Sequence, residues 1–406
     1  MREEPKTPVS LSGETGKKDI HYCLHCGRPF ESVAAFEAHQ KSLVEINRNQ
    51  AVVNLRFQPY FQPETVSKEQ FYQAAVSSDH VTITSWLDTW LKHIEENCKR
   101  FDVHKHSIMS EAGKWAYKPA ICAGSGPSLR KNSKWLKPAS ASEWPGISPQ
   151  GNPMAIWPGR GDIGMISCLH NFAYFEDNKI PADYYVNLDA GDITLRDMVS
   201  GGREKDPDHY WNLTKDRTLV TALVGHPELI SKWKGPVLFF NTACPDPMYI
   251  SKQKELTKSF NVMASTGGNA LGACLYIARA FLGANPLVFI GANFAFDYDE
   301  KFYAFDSENQ KFSGISMVSD VYGNKVGTWP SYRNFAQWFS YISCGGKGNN
   351  PISMINCTEG GILGAYEHGN IGSIRQMSLS EFLYEYHAHK LMPDMLSNKD
   401  MFNFLF

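Results

Sequence analysis

The chain has no apolar stretch approaching the roughly 20 residues that a membrane-spanning helix needs. Its opening residues, MREEPKTPVSLSGETGKKD, have no apolar core, so they do not read as a secretory signal. Excess positive charge is also missing: 40 basic against 42 acidic side chains give a formal net charge of −2, which excludes bulk attraction to nucleic acid while leaving local basic patches open. Both standard phosphate-loop signatures are absent. No Gly-Lys-Ser/Thr follows a glycine run, and the third glycine of a dinucleotide fingerprint beginning at Gly124 would fall on Leu129. No internal repeat is visible. Nine cysteines are an odd number, and Cys122, Cys168, Cys274 and Cys357 sit singly in apolar runs, the pattern of buried reduced thiols. A cytoplasmic protein without a membrane partner is expected.

What is present fits a globular protein of more than one unit. The 406 residues are 43 % apolar, 20 % charged and 13 % aromatic. Residues 1–18 read as a disordered tail, 19–45 as a compact motif and 46–117 as a connector leading into a helical region. In that region Trp86, Leu87, Trp90, Leu91 and Ile94 recur at helical spacing. From about residue 118 short apolar runs alternate with helical patterns. Candidate strands are 120–123, 184–188, 219–223, 237–240 and 287–290. Between the last two, Ala270, Leu271, Cys274, Leu275, Ala278, Phe281 and Leu282 mark an apolar helix that Gly283 can end. Such alternation predicts an α/β fold, a mostly parallel sheet covered on both faces. Residues 118–370 would form it, with 371–406 as a helical closure.

Ligands of doubly wound sheets bind beyond the carboxyl ends of the strands, so the residues after each strand carry the functional candidates. After 120–123 comes Gly124-Ser125-Gly126-Pro127-Ser128. Its glycines let a ligand approach the backbone, and Pro127 suits the first position of a helix whose amides favour an anion. A plain strand-to-helix turn is the alternative. In STGGNALGAC (265–274), Thr266, Gly267, Gly268 and Asn269 offer polar groups and flexible backbone, or simply an N-cap. Asp189 and Asp192 follow a strand, where a carboxylate can take a metal, a ribose or a sugar hydroxyl, or cap a helix. His226 precedes Pro227 and reads as a general base, a phosphate donor or a structural histidine. One sheet edge would gather these four turns into one cleft.

Five segments in order resemble the MptE-like family, which includes bacterial motility accessory factors (Maf) and archaeal 6-hydroxymethylpterin diphosphokinases. They are AICAGSGPSL, IPADYYVNLDAGD, TGGNALGACLYIARAFLGANPLVFIGANFAF, DVYGNKVGTWPSYRNFAQWF and NCTEGGILG, spanning residues 118–365. The resemblance implies a Rossmann-like, sialyltransferase-like core that handles activated nucleotides. By it Gly124, Gly126, Pro127 and Ser128 match the nucleotide turn, Asp189 the acidic strand end, Gly267, Gly268 and Asn269 the second turn, and Glu359, Gly360 and Gly361 the distal motif. Asn293 stands where the family often has Asp, with Asp297 and Asp299 close by.

Residues 21–45 resemble a Cys2His2 zinc finger: Cys23 and Cys26 have ligand spacing, Phe30 and Phe36 hold the core positions, and His39 follows at the right interval. The last histidine is missing, since Leu43, Val44 and Glu45 stand there. A metal-free hairpin and helix is the alternative to structural zinc. The finger helix is poor in polar and basic side chains, which argues against sequence-specific base reading. Together these readings predict a glycosyltransferase with a nucleotide-sugar donor, Asp189 and His226 as catalytic residues, and a macromolecular acceptor: a protein, or a hydroxymethylated DNA base of a bacterial virus. The alternatives are an ATP-dependent diphosphokinase, which the resemblance pairs with magnesium, and a non-catalytic nucleotide-binding module. A divalent metal in catalysis is left open.

Overall fold

The computed structural model describes residues 68–116, 118–140, 156–180, 182–244, 246–296, 314–343, 352–365 and 374–391, with residues 21, 22, 29, 30, 32, 34 and 304 besides. The chain divides into two units, Met1–Arg56 and Phe57–Phe406. In the first, His21–Tyr22 pairs antiparallel with Pro29–Phe30. The proposed zinc ligands Cys23, Cys26 and His39 lie outside the described residues, as do Asp297 and Asp299.

The second unit is built on nine strands: β1 (Ala120–Ala123), β2 (Gly164–Cys168), β3 (Tyr184–Asn187), β4 (Thr218–Ala222), β5 (Val237–Thr242), β6 (Met263–Ala264), β7 (Leu287–Ile290), β8 (Met354–Asn356) and β9 (Ile374–Gln376). They form one sheet in the order 6-5-4-3-2-1-7-8-9. Every pairing is parallel. All residues of β1, β2, β3 and β7 are buried, as strands covered on both faces must be. The order runs outward from β1 to β6, then returns to β7 on the other side of β1. Right-handed crossovers that reverse direction there place their helices on opposite faces, so the sheet is a Rossmann-like α/β fold with its switch point between β1 and β7.

The helix Ala270–Tyr276 continues into a π turn, Ile277–Phe281, and buries Leu271, Ala273, Cys274, Leu275, Ile277 and Ala278. Gly283 follows at φ +80°, a left-handed stop that glycine adopts without strain. The helical region extends over Lys68–Arg100. It is pinned by Asn97, whose Nδ2 donates to the carbonyls of Leu223 (2.9 Å) and Gly225 (3.0 Å) beyond β4. Bidentate pairs tie neighbouring elements: Arg217 with Glu176 and Arg160 with Asp183. Past residue 370 the chain supplies β9 at the sheet edge before the helix Leu379–Leu391. The cysteines at 122, 168, 274 and 357 are free and buried, as their apolar context predicts.

Candidate functional site

The carboxyl ends of β1 to β7 open into one cleft of about 860 Å³. Gly124–Gly126, Cys168–His170, Asn187–Ala190, Val224, Thr242–Cys244, Ser265–Leu271 and Gly291–Ala295 line it, each at or just beyond the end of its strand. Two helices supply aromatic walls. Lys68–Arg100 contributes Trp86 and Trp90, and Pro330–Ser343 contributes Tyr332, Phe335 and Trp338. Among the described residues the lining carries the carboxylates Asp189 and Asp197 and no lysine or arginine.

The two central turns interlock at the switch point. A Cβ on Gly124 would lie 2.5 Å from the Gly291 carbonyl oxygen, and one on Gly126 would lie 2.6 Å from it. Neither side chain is affordable at that approach. The amides behind this contact are already committed. Gly124 N–H donates to Ile290 (2.9 Å) and Gly126 N–H to Gly291 (2.8 Å). Asn293 Oδ1 accepts from both the N–H (3.2 Å) and the hydroxyl (2.8 Å) of Ser128. Of this turn, the Ser125 N–H has no partner among the described residues. Of the Gly124–Ser128 amides expected to hold a phosphate, three are already taken, by Ile290 at the end of β7 and by Gly291 and Asn293 in the turn after it. Pro127 and Ser128 lie outside the lining, Ser128 is buried, and the helix begins at Leu129 rather than Pro127. Asn293 works here as an acceptor, a task that needs neither a negative charge nor a metal.

The second glycine turn is less committed. Gly267 and Gly268 hold φ of +60° and +76°, conformations that favour glycine. A Cβ on Gly267 would meet the Trp338 ring at 2.5 Å. Asn269 caps the helix that follows, its Oδ1 accepting from Gly272 N–H at 2.7 Å. Thr266 Oγ1 accepts from Gly268 N–H at 3.3 Å.

Asp189 is exposed at the end of β3, with Oδ1 accepting the Gly191 amide at 2.8 Å. Asp197, half-buried on helix Ile193–Ser200, was not a candidate from sequence. Burial pushes its carboxyl up to about 6; Arg196 pulls it partly back and Asp189 adds to the rise. His170, at the end of β2, also escapes the sequence reading. Its Nε2 lies 2.8 Å from Ser200 Oγ, which donates to the Asp197 carbonyl at 3.0 Å. Next to it, buried Asn171 donates to the Ala123 and Gly124 carbonyls and to Ser167 Oγ, fastening the ends of β1 and β2 together.

Two further expected site residues stand elsewhere. His226 does not line the cleft. Its Nδ1 accepts from Glu228 N–H (3.3 Å), capping helix Pro227–Lys232, and its Nε2 meets Asp192 Oδ1 at 2.9 Å. Glu359 is likewise outside, at φ +59°, its Oε1 accepting from Asn132 Nδ2 (3.0 Å) and Leu379 N–H (3.2 Å). Both positions fasten helices.

Part of this cleft falls within a family match. Residues 160–299 match the 6-hydroxymethylpterin diphosphokinase MptE-like family. This MptE-like segment carries β2 to β7, hence His170, Asp189, Asp197, the second glycine turn and Asn293; the turn after β1 and the helix Pro330–Ser343 lie outside it. Residues 20–44 match the zinc-finger double-stranded RNA-binding family. A solved MAf glycosyltransferase from Magnetospirillum magneticum AMB-1 is similar at 14 % identity and a TM-score of 0.46, over 72 % of this chain and 38 % of that one. The chain thus spans about two fifths of that protein's length. No curated protein matches the sequence.

Proposed function

We propose that the cleft binds a nucleotide sugar and that the protein is a glycosyltransferase. The observation that carries this reading is the gathering of two glycine turns, two carboxylates and two aromatic walls at the carboxyl edge beside the switch point; of these, the second glycine turn and both carboxylates lie within the MptE-like segment. With no lysine or arginine among the described lining residues, backbone amides would hold the donor phosphates: those of Ser125 and of the turn beginning at Gly267. The aromatic walls would stack the base or the sugar. Asp189 would take the ribose hydroxyls. Asp197 would accept the proton of an acceptor hydroxyl as its oxygen attacks the anomeric carbon and the bond to the leaving phosphate oxygen breaks. His170 stands beside it, replacing His226 as the histidine of the site. The acceptor in this reading is a macromolecule. The matched description of residues 20–44 favours a nucleic acid over a protein, which keeps the hydroxymethylated-base acceptor in view. Cys23, Cys26 and His39 remain the proposed zinc ligands of that finger.

A second reading, diphosphate transfer from ATP, is favoured by the description of the matched family and by the pair Asp189 and Asp197, the carboxylates that would hold a magnesium nucleotide. Incubating the protein with nucleotide sugars and with ATP, and identifying the nucleotide set free, separates the two. UDP, GDP or CMP from a sugar nucleotide supports glycosyl transfer. AMP from ATP replaces it with diphosphate transfer. Tight nucleotide binding without release of either leaves a binding module.

A further inference from the structure

Between Lys118 and Glu143 the chain has no carboxylate, yet it carries Arg130, Lys131, Lys134 and Lys137. These four lie on the helical stretch Leu129–Leu136 and its end. That stretch packs on helix Phe172–Asp177 through Ser133 Oγ and Tyr174 OH at 2.8 Å. Two further cations join it there. Lys179 follows that helix, and Arg203 is fastened to it by its guanidinium on Asn178 Oδ1 (3.1 Å) and its N–H on Asp177 Oδ2 (2.6 Å). Burial holds the Lys137 ammonium below the usual lysine range, and the charges of Arg203 and Lys179 add to that, so the three share one neighbourhood.

Elsewhere on this unit Lys99, Lys105, Lys114, Arg160, Arg217, Lys232 and Lys252 each meet a carboxylate, while among the described residues others, such as Lys215, Lys254 and Lys258, do not; what sets this face apart is the gathering of six such cations. Among the described residues none of the six meets a carboxylate. Asp177, at the end of the neighbouring helix, serves the Arg203 amide and Tyr210 OH. Gathering unpaired like charges costs stability, and on a chain of net charge −2 it is a local choice rather than a general excess.

We infer that this face docks the phosphodiester backbone of a nucleic-acid duplex. The stretch from Arg130 to Lys137 is roughly 10–14 Å long. At about 3.4 Å of rise per phosphate along one strand, it meets three or four successive phosphates. A membrane surface fits less well, because an interfacial anchor needs apolar side chains beside the cations. Among the described residues the exposed large apolar ones, Trp86, Met109, Ile193, Met248, Ile250, Ile315, Met317 and Tyr322, all lie outside this group. Binding here does not depend on the transfer reaction and is read without a donor.

The test is fluorescence anisotropy of the full chain with labelled DNA and RNA duplexes of 20 base pairs over a series of salt concentrations. Wild-type affinity should fall with salt by about 0.9 in log–log slope per DNA phosphate contacted. Changing Lys134, Lys137 and Lys179 together to Gln should lower that slope by roughly 2–3 and leave the melting temperature equal or higher, since repulsion is relieved. The DNA and RNA arms tell which duplex is preferred. An unchanged slope in the triple variant overturns the inference and assigns binding to the finger. Binding to phosphatidylserine vesicles, with none to either duplex, overturns it too.

Discussion

Asp197→Asn isolates one group whose protonation the fold has altered. The Asp197 carboxyl rises from 3.8 to about 6, mainly through burial. A carboxylate whose folded value exceeds its unfolded one binds a proton more readily in the folded state. Between about pH 4 and pH 6 the native protein therefore holds more protons than the unfolded chain, and stability falls as pH rises through that window. Above about 6 the cost of burying the ionised group is fully present. Taken whole, that rise would correspond to about 3 kcal/mol, an upper bound. Residual solvent contact at this half-buried side chain lowers the expectation to roughly 1–2 kcal/mol. Asparagine keeps the shape and removes the charge. Urea unfolding of both proteins from pH 4.5 to 7.5 should show the variant gaining on the wild type as pH rises, then a constant lead above about 6.5. If the site transfers glycosyl groups, the same variant should lose roughly 10²–10⁴-fold in kcat while binding nucleotide as before. A stability difference that does not change with pH would refute the account of Asp197.

The other expectations concern the turns and the displaced histidine. Gly267→Ala should cost roughly 2–4 kcal/mol, from a left-handed φ and a methyl driven into Trp338, and should abolish nucleotide binding measured by calorimetry. Asn293→Asp should leave the melting temperature within a few degrees, because a carboxylate accepts the same two Ser128 hydrogen bonds; Asn293→Leu should lower it clearly by stranding a buried N–H and hydroxyl. His226→Ala should cost about 1 kcal/mol in urea unfolding, the loss of a helix cap, with the transfer rate unchanged.

Much of the sheet is legible because a strand buried on both faces is written as a short apolar run closed by glycine or a polar turn. The runs at 120–123 and 287–290 are strands with those bounds, and those at 184, 219 and 237 are displaced at their ends by no more than two residues. β2 escapes because its five residues include glycine, serine and cysteine and no branched run announces it. That omission propagates: nothing after an unread strand is inspected, so His170 and Asn171 go unnoticed. β6, β8 and β9 are only two or three residues long. His226 shows a different limit. A histidine before proline at a strand end reads equally as a base or a cap, and Asp192, 34 positions away in sequence, helps hold the ring. The glycines after β1 were legible as a close approach, but what approaches is the β7 turn. Sequence shows that a backbone is bare, not which carbonyl has already taken its amides. Asp197 gives no signal at all, because its burial comes from packing rather than from its neighbours in the chain.

Hydrogen exchange with saturating nucleotide tests the central claim most directly. The account predicts protection in four separate segments, 124–126, 187–197, 265–271 and 291–294, with the sheet edge at β8 and β9 unchanged. Protection confined to that edge, or absent from 265–271 and 187–197, would contradict the placement of the nucleotide at the carboxyl ends of these strands.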